Sequence, residues 1–253
     1  MPRAARTLDR YNRAFYERCW RAGTVVPIPG VRAAVERKPV VEIGAGLRPR
    51  LPVGHAVFVD LSRAACVKLR RAGAQTVRAS VVELPFRPEA LGGIHAYEVL
   101  EHVSDDAAAV AELARVLVPG GRLVLSTPLH ADRWHGFDRI VGHARRYDPG
   151  ALVALMRAHG FVLEAFAPFG LRPRSRLLTR LGAYFMTRWP HLAFRYEERF
   201  LRRKDPTRDV VIVRRIDVPT FVREAAALDG AVTVWTRSAM RNQNVSDPVT
   251  RPS

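Results

Sequence analysis

Residues 40–46, Val-Val-Glu-Ile-Gly-Ala-Gly, form a short apolar run that carries one acid and breaks into a Gly-x-Gly turn. A second apolar run, Ala56-Val-Phe-Val-Asp60, closes on a carboxylate. A buried strand that ends in glycines lets the backbone approach a ligand closely. An acid about 20 residues on can accept hydrogen bonds from a ribose diol. The pair implies a ligand that carries a nucleoside.

The residues just after the turn select among such ligands. A dinucleotide fingerprint needs a third glycine three residues after Gly46, where a helix opens under a pyrophosphate. Pro49 stands there instead. Glu42 would repel a pyrophosphate, whereas its charge suits a ligand bearing an ammonium and a sulfonium. The residues favour S-adenosylmethionine over NAD.

At 253 residues, with 48% hydrophobic and 26% charged residues, the chain is long enough for one large α/β domain with a full core. It has no run of about 18 apolar residues, and it opens on a polar amphipathic stretch, so a soluble, cytoplasmic protein is expected. Cys19 and Cys66 are far apart and lack Cys-x-x-Cys spacing, so neither a disulfide framework nor a metal site is expected. The net charge of +17 raises nucleic acid or an anionic membrane surface as a partner. Only Lys38, Lys68 and Lys204 are lysines, however, and such an arginine excess also reads as compositional bias spread over every surface.

Periodicity predicts alternating elements. An amphipathic helix is expected over 7–21 and a short one over 30–37, then a strand at 39–43 and another at 55–60. Ser62 caps a helix over 63–72 that stops at Gly73, and strands follow near 75–79 and 93–97. A helix at 105–117 precedes the turn Pro119-Gly120-Gly121 and a fifth strand at 122–127. The polar stretch 128–148 reads as a long functional loop. Pro149 then opens a helix that Gly160 ends, before a sixth strand at 161–166. Segments 209–216 and 231–236 compete for the last strand, with 231–236 preferred.

This rhythm predicts a Rossmann-like, doubly wound, mostly parallel sheet with flanking helices. The aromatic and basic stretch 171–204 is expected to form a helical cap. The expected layout is N-terminal helices covering the site (1–38), a cofactor-binding core (39–168), the cap with the last strand (169–237) and a flexible tail (238–253).

Five segments together resemble the class I S-adenosylmethionine-dependent methyltransferases of the "type 11" group, which includes ubiquinone-pathway O-methyltransferases. They are Val41-Glu-Ile-Gly-Ala-Gly46, Val59-Asp60, Ser80-Val-Val-Glu-Leu-Pro-Phe86, Glu98-Val-Leu-Glu-His-Val103, and the stretch from Leu113 to Pro128 that holds Pro119-Gly-Gly. The resemblance implies that Gly44, Ala45 and Gly46 pass beneath the methionine part of the cofactor, with Glu42 organising the turn. Asp60, followed by Leu61, would bind the ribose hydroxyls. Ser80, Val81 and Val82 would meet the adenine, and Ala96 and Tyr97 begin the segment along the methionine moiety. Ser80 stands where the family often has an Asp, and Arg48 where many members have a further Gly.

Methyl transfer from a sulfonium is an in-line displacement, so holding donor and acceptor aligned at about 3 Å supplies most of the acceleration. An acceptor protonated at neutral pH also needs a base. His102, His130, His135 and His143 follow the fourth and fifth strands, on the carboxyl edge where open α/β sheets bind ligands. His143, in Gly142-His-Ala-Arg-Arg-Tyr147, is the first candidate for general base or substrate contact, and His102 is the second. A structural loop histidine is the competing reading for both. The sequence thus points to methylation of an oxygen or nitrogen on a small-molecule acceptor. RNA, a membrane lipid or a quinone is the alternative acceptor, and a non-catalytic cofactor-binding protein is the alternative class.

Overall fold

Strands that read as unbroken apolar runs need cover on both faces. β1 (Val40–Ile43) and β4 (Leu91–Tyr97) are buried at every position, and β2 (Val57–Asp60) at all but its first. The computed structural model describes residues 38–46, 49–134, 136–169 and 214–239, with isolated positions at 181, 184, 188 and 189. The expected helices at 7–21 and 30–37 lie outside the described residues. So do Arg48, His135, the tail from 240 and all but those four positions of the expected cap.

Between the strands, α1 (Arg63–Arg71) starts at Ser62, whose side chain accepts from Ala65 N, and it ends just before Gly73 at φ +88°. β3 (Gln75–Arg78), α2 (Asp106–Val116), β5 (Leu117–Pro128), α3 (Gly136–Val141), α4 (Pro149–Ala158) and β6 (Phe161–Phe169) follow in order. A two-residue strand β7 (Arg214–Arg215), α5 (Val218–Ala225) and β8 (Gly230–Arg237) complete the described chain. Asp105, Asp148 and Asp217 cap α2, α4 and α5 through their side chains.

The eight strands form one sheet in the order β3-β2-β1-β4-β5-β8-β6-β7. β3 to β5 pair in parallel, while β8 lies antiparallel between β5 and β6. Strands β1 to β6 therefore run in one direction and only β7 and β8 run against them, so the sheet is the mostly parallel one expected. Strand order reverses between β1 and β4, so the crevice beyond their carboxyl ends is where such sheets take ligands.

Three expectations change. Helix α2 ends at Val116 and β5 begins at once, because the Pro119-Gly120-Gly121 turn is absorbed as an irregularity between the pairs Leu91↔Leu117 and Gly93↔Arg122. A Cβ on Gly121 would lie 2.8 Å from the Val118 carbonyl oxygen, so only glycine fits there. The stretch 128–148 is not a plain loop, since it holds a 3₁₀ turn (Ala131–Arg133) and α3. Both candidates for the last strand are used, with 231–236 inside β8 and the 209–216 segment giving edge strand β7.

Side chains of α2, α4 and α5 fill the larger core on one face of the sheet, and Leu69 of α1 joins Val40, Leu51 and Phe58 on the other. Phe221 of α5 is fully buried, with its ring edge-on to Phe166 of β6 at 5.2 Å. Truncating it leaves a cavity that a sheet and two helices cannot collapse to fill. Phe221→Ala should therefore cost about 3–5 kcal/mol, read as a lower urea midpoint at unchanged slope. A loss under about 1 kcal/mol would mean that α5 is not part of the core.

Candidate active site

The turn after β1 is held by backbone geometry that favours glycine. Gly44 and Gly46 have φ of +69° and +49°, and Gly44 N donates to Val59 O at 2.8 Å. A Cβ on Gly44 would lie 2.6 Å from Val99 Cγ2, so the segment after β4 packs directly on this glycine. Gly46 N donates to Asp60 Oδ2 at 2.9 Å, and Ser62 N donates to Asp60 Oδ1 at 2.8 Å. Asp60 thereby ties the β1 turn to the start of α1. A carboxylate offers about four acceptor positions, and these two bonds use half of them. Burial pushes the Asp60 carboxyl up to about 6, against the two backbone N–H groups that favour its charge.

Glu42 serves the loop beyond the turn. It is 1% exposed, and its oxygens accept from Arg50 N at 2.8 and 3.0 Å and from Leu51 N at 2.8 Å. Its carboxyl rises to about 7 through burial. These backbone hydrogen bonds give Glu42 its turn-organising role. In the parallel register Glu42 pairs with His95 and Ile43 with Ala96. Tyr97 follows on the Glu42 face, where its hydroxyl lies 2.8 Å from His95 Nδ1 and its ring lies under the Arg50 guanidinium at 5.9 Å. Ala96 faces the opposite core with Ile43. The side chains of both residues are thus committed to packing, and what they offer the crevice is backbone.

The loop after β3 is pinned from α2. Glu112 accepts from Leu84 N at 2.7 Å, while Arg115 pairs with Glu112 at 2.6 Å and donates to the carbonyls of Leu84 and Phe86. Ser80 Oγ accepts from Val82 N at 3.4 Å, Val81 is buried and Val82 is 39% exposed. The Leu61 carbonyl accepts from Arg78 Nε at 3.0 Å, which braces the same edge.

Beyond β4 the chain turns through Glu98, a non-glycine residue at φ +53°, whose backbone and side chain both bond Ser126. Glu101 follows, completely buried beside Glu98. Burial raises both carboxyls, and Glu98 raises that of Glu101 further. His102 Nδ1 lies 3.2 Å from the Gly142 carbonyl, and its ring meets His143 edge-on at 4.8 Å. Burial, then the neighbouring His143, lowers His102 to about 4, so it is neutral at physiological pH. His143 Nδ1 lies 2.8 Å from Asp138 Oδ1, and Arg146 Nε donates to that same oxygen.

The expected base candidates therefore come together across α3, but in a buried group: the His143 side chain is 6% exposed. His130 sits apart, its Nε2 2.8 Å from the Ala225 carbonyl. Arg145 and Arg146 bond Asp106 and Asp138, and Arg133 donates to the carbonyls of Leu228 and Ala226, so these arginines brace the fold.

Residues 43–125 match the family model described as "Methyltransferase domain". Over these residues the chain is similar to that family. The chain is 32% identical over 123 residues, 48% of its length, to a "Probable S-adenosylmethionine-dependent methyltransferase" of Mycobacterium tuberculosis. A similarly named Mycolicibacterium smegmatis protein is 30% identical over 107 residues, 42% of this chain. The aligned regions span less than half of those relatives, 45% and 42% of their lengths. In fold, the chain is similar to a Thermotoga maritima protein described as a SAM-dependent methyltransferase, possible histamine N-methyltransferase. That likeness has a TM-score of 0.58 at 16% identity, covering 92% of this chain and 94% of that one. S-adenosylmethionine is the cofactor that family and fold imply.

Reading the sequence missed Glu98, Glu101 and Asp138 as members of the buried group beyond β4, and Glu112 and Arg115 as braces of the loop after β3. The Glu-x-x-Arg spacing on a helix was the one local signal for the latter pair. Among the described residues, no helix is long and apolar enough to cross a membrane.

The raised Asp60 carboxyl predicts a pH dependence with a defined sign. Native Asp60 holds its proton up to about pH 6, where the unfolded chain has already released it. Its contribution to stability is thus fullest at low pH and declines as pH rises from about 4 to about 6. The difference in unfolding free energy between the parent and Asp60→Asn should fall across that window and level off above pH 7. A difference that stays flat or rises would contradict the burial argument.

Proposed function

We propose that the chain is an S-adenosylmethionine-dependent methyltransferase acting on an oxygen or nitrogen of a small-molecule acceptor. The observation that carries this reading is the Asp60 carboxylate. It is fixed by Gly46 N and Ser62 N at the end of β2, beside the β1 turn, and keeps further acceptor positions. A ribose diol offers two hydroxyl donors to match. Gly44 to Gly46 bring bare backbone to the same place, and the Ser80–Val82 loop, braced by Glu112 and Arg115, stands one strand over to flank the adenine. Backbone from Ala96 to Glu98 would border the methionine part.

S-adenosylmethionine, when bound, supplies an electrophilic methyl on a sulfonium. The residues of this chain bind and orient, since an in-line transfer gains most from alignment and exclusion of water. We assign no proton transfer to His143 or His102. The Nδ1 atoms of both rings are committed to oxygens of α3 and the turn after it, and both rings lie in the buried group beside Glu101.

Asp60→Ala should weaken S-adenosylmethionine binding by about 10- to 100-fold, the loss expected for hydrogen bonds to a charged group. Gly44→Ala should weaken it comparably by driving Val99 out of place. Isothermal titration calorimetry with S-adenosylmethionine and S-adenosylhomocysteine checks both. Absence of binding to the parent, or unchanged affinity in Asp60→Ala, would remove the proposal.

A further inference from the structure

A compositional bias spreads arginine over a chain, but it does not clear the acids from one stretch. The chain carries 24 Asp and Glu in 253 residues, yet none stands between Glu164 and Glu197, its longest acid-free run. That run holds six Arg, with Tyr184, Phe185, Trp189, Phe194 and Tyr196 in its second half. Within it, Leu181, Tyr184 and Arg188 are helical, and Trp189 follows at once. Residues three and seven apart fall on one side of a helix. Here that side faces water: Leu181 is 54% exposed, Tyr184 62% and Trp189 40%. Arg188 is exposed beside them. The Tyr184 and Trp189 rings meet edge-on at 6.3 Å, and the Arg188 guanidinium lies over the Trp189 ring at 5.7 Å. A single exposed apolar residue is ordinary, whereas an aliphatic side chain, two aromatic rings and a cation gathered in one place mark a contact surface.

We infer that this patch docks the chain on the surface of an anionic phospholipid bilayer. Tyr and Trp suit the headgroup level, where the body of the ring meets apolar surroundings and its polar edge stays wet. Leu181 would enter the acyl boundary beside them. Arg188 would meet lipid phosphate, which a guanidinium binds through two parallel hydrogen bonds. The attraction of a basic segment to a negative surface is greatest where no acid offsets it, as in the run from 165 to 196. Leu181 favours a bilayer over a nucleic acid. Bases stack on aromatic rings and phosphates pair with arginine, but neither gives an exposed aliphatic side chain a place to leave water. The inference rests on this patch and not on the methyl-transfer reading.

The test sediments the full chain with vesicles of phosphatidylcholine alone and with vesicles in which roughly one lipid in four is phosphatidylglycerol. The anionic vesicles should bind about 10-fold more tightly or better, and that binding should weaken steeply as salt is added. Leu181→Ser combined with Tyr184→Ser should lower it about 10-fold. Both side chains are exposed, so Tm should stay within about 2 °C of the parent. Arg188→Glu should also weaken binding about 10-fold and flatten its salt dependence. Trp189→Phe keeps an aromatic ring, so it should retain binding yet lose most of the tryptophan quenching caused by lipids with brominated acyl chains. Equal binding to both vesicle types, undiminished binding in the double variant, or unchanged quenching in Trp189→Phe overturns the proposal. So does a parent that leaves the vesicles in solution while binding single-stranded RNA through the same residues, or one that pairs into a dimer which the double variant dissociates. S-adenosylmethionine titrated into the parent keeps the two readings apart: vesicle binding without donor binding removes only the methyltransferase proposal, and the reverse removes only this one.

Discussion

Two buried carboxylates, on adjacent strands, set the shape of the β1–β4 crevice. Placing an ionised acid inside a protein is costly unless hydrogen bonds replace water. Here the replacements are backbone N–H groups of the loops themselves: Gly46 and Ser62 on Asp60, Arg50 and Leu51 on Glu42. Each acid is thus held by the segment that it organises. Neither carboxylate could be lost without leaving buried N–H groups unmatched, which is the more expensive side of any hydrogen-bond exchange. The glycines, the start of α1 and the route of the chain after the turn all depend on these contacts.

Much of this edge was legible because its signals are local. A run of Val and Ile, a Gly-x-Gly break and an acid closing the next strand are read within a few residues, and Ser62 and Gly73 mark the ends of α1 as their capping chemistry requires. The role of Glu42 was half legible. Its turn-organising place came from family resemblance, while its backbone partners depend on a loop path that no periodicity encodes. The place of β8 was hidden for the same reason, since it inserts between β5 and β6 by a long-range pairing. In the 128–148 stretch, a polar composition masked a helix whose buried acid, Asp138, anchors His143 and Arg146.

The opposite edge shows a different balance. The chain carries a formal charge of +17, yet beyond the end of β4 it buries Glu101 and Asp138 and half-buries Glu98. Arg146 meets Asp138, but Glu101 has no cationic side chain within hydrogen-bond reach among the described residues. The two edges differ: β1 and β2 present a fixed acceptor and bare backbone, while the end of β4 and the segment after α3 gather buried acids and imidazoles.

The central claim is that the donor lies over the β1 turn against Asp60. Amide hydrogen exchange, followed by mass spectrometry with and without saturating S-adenosylhomocysteine, tests it most directly. The account predicts slowed exchange in peptides covering 42–51 and 57–62, with the α4 and β6 region unchanged. Protection confined to other segments, with these two unaffected, would contradict it.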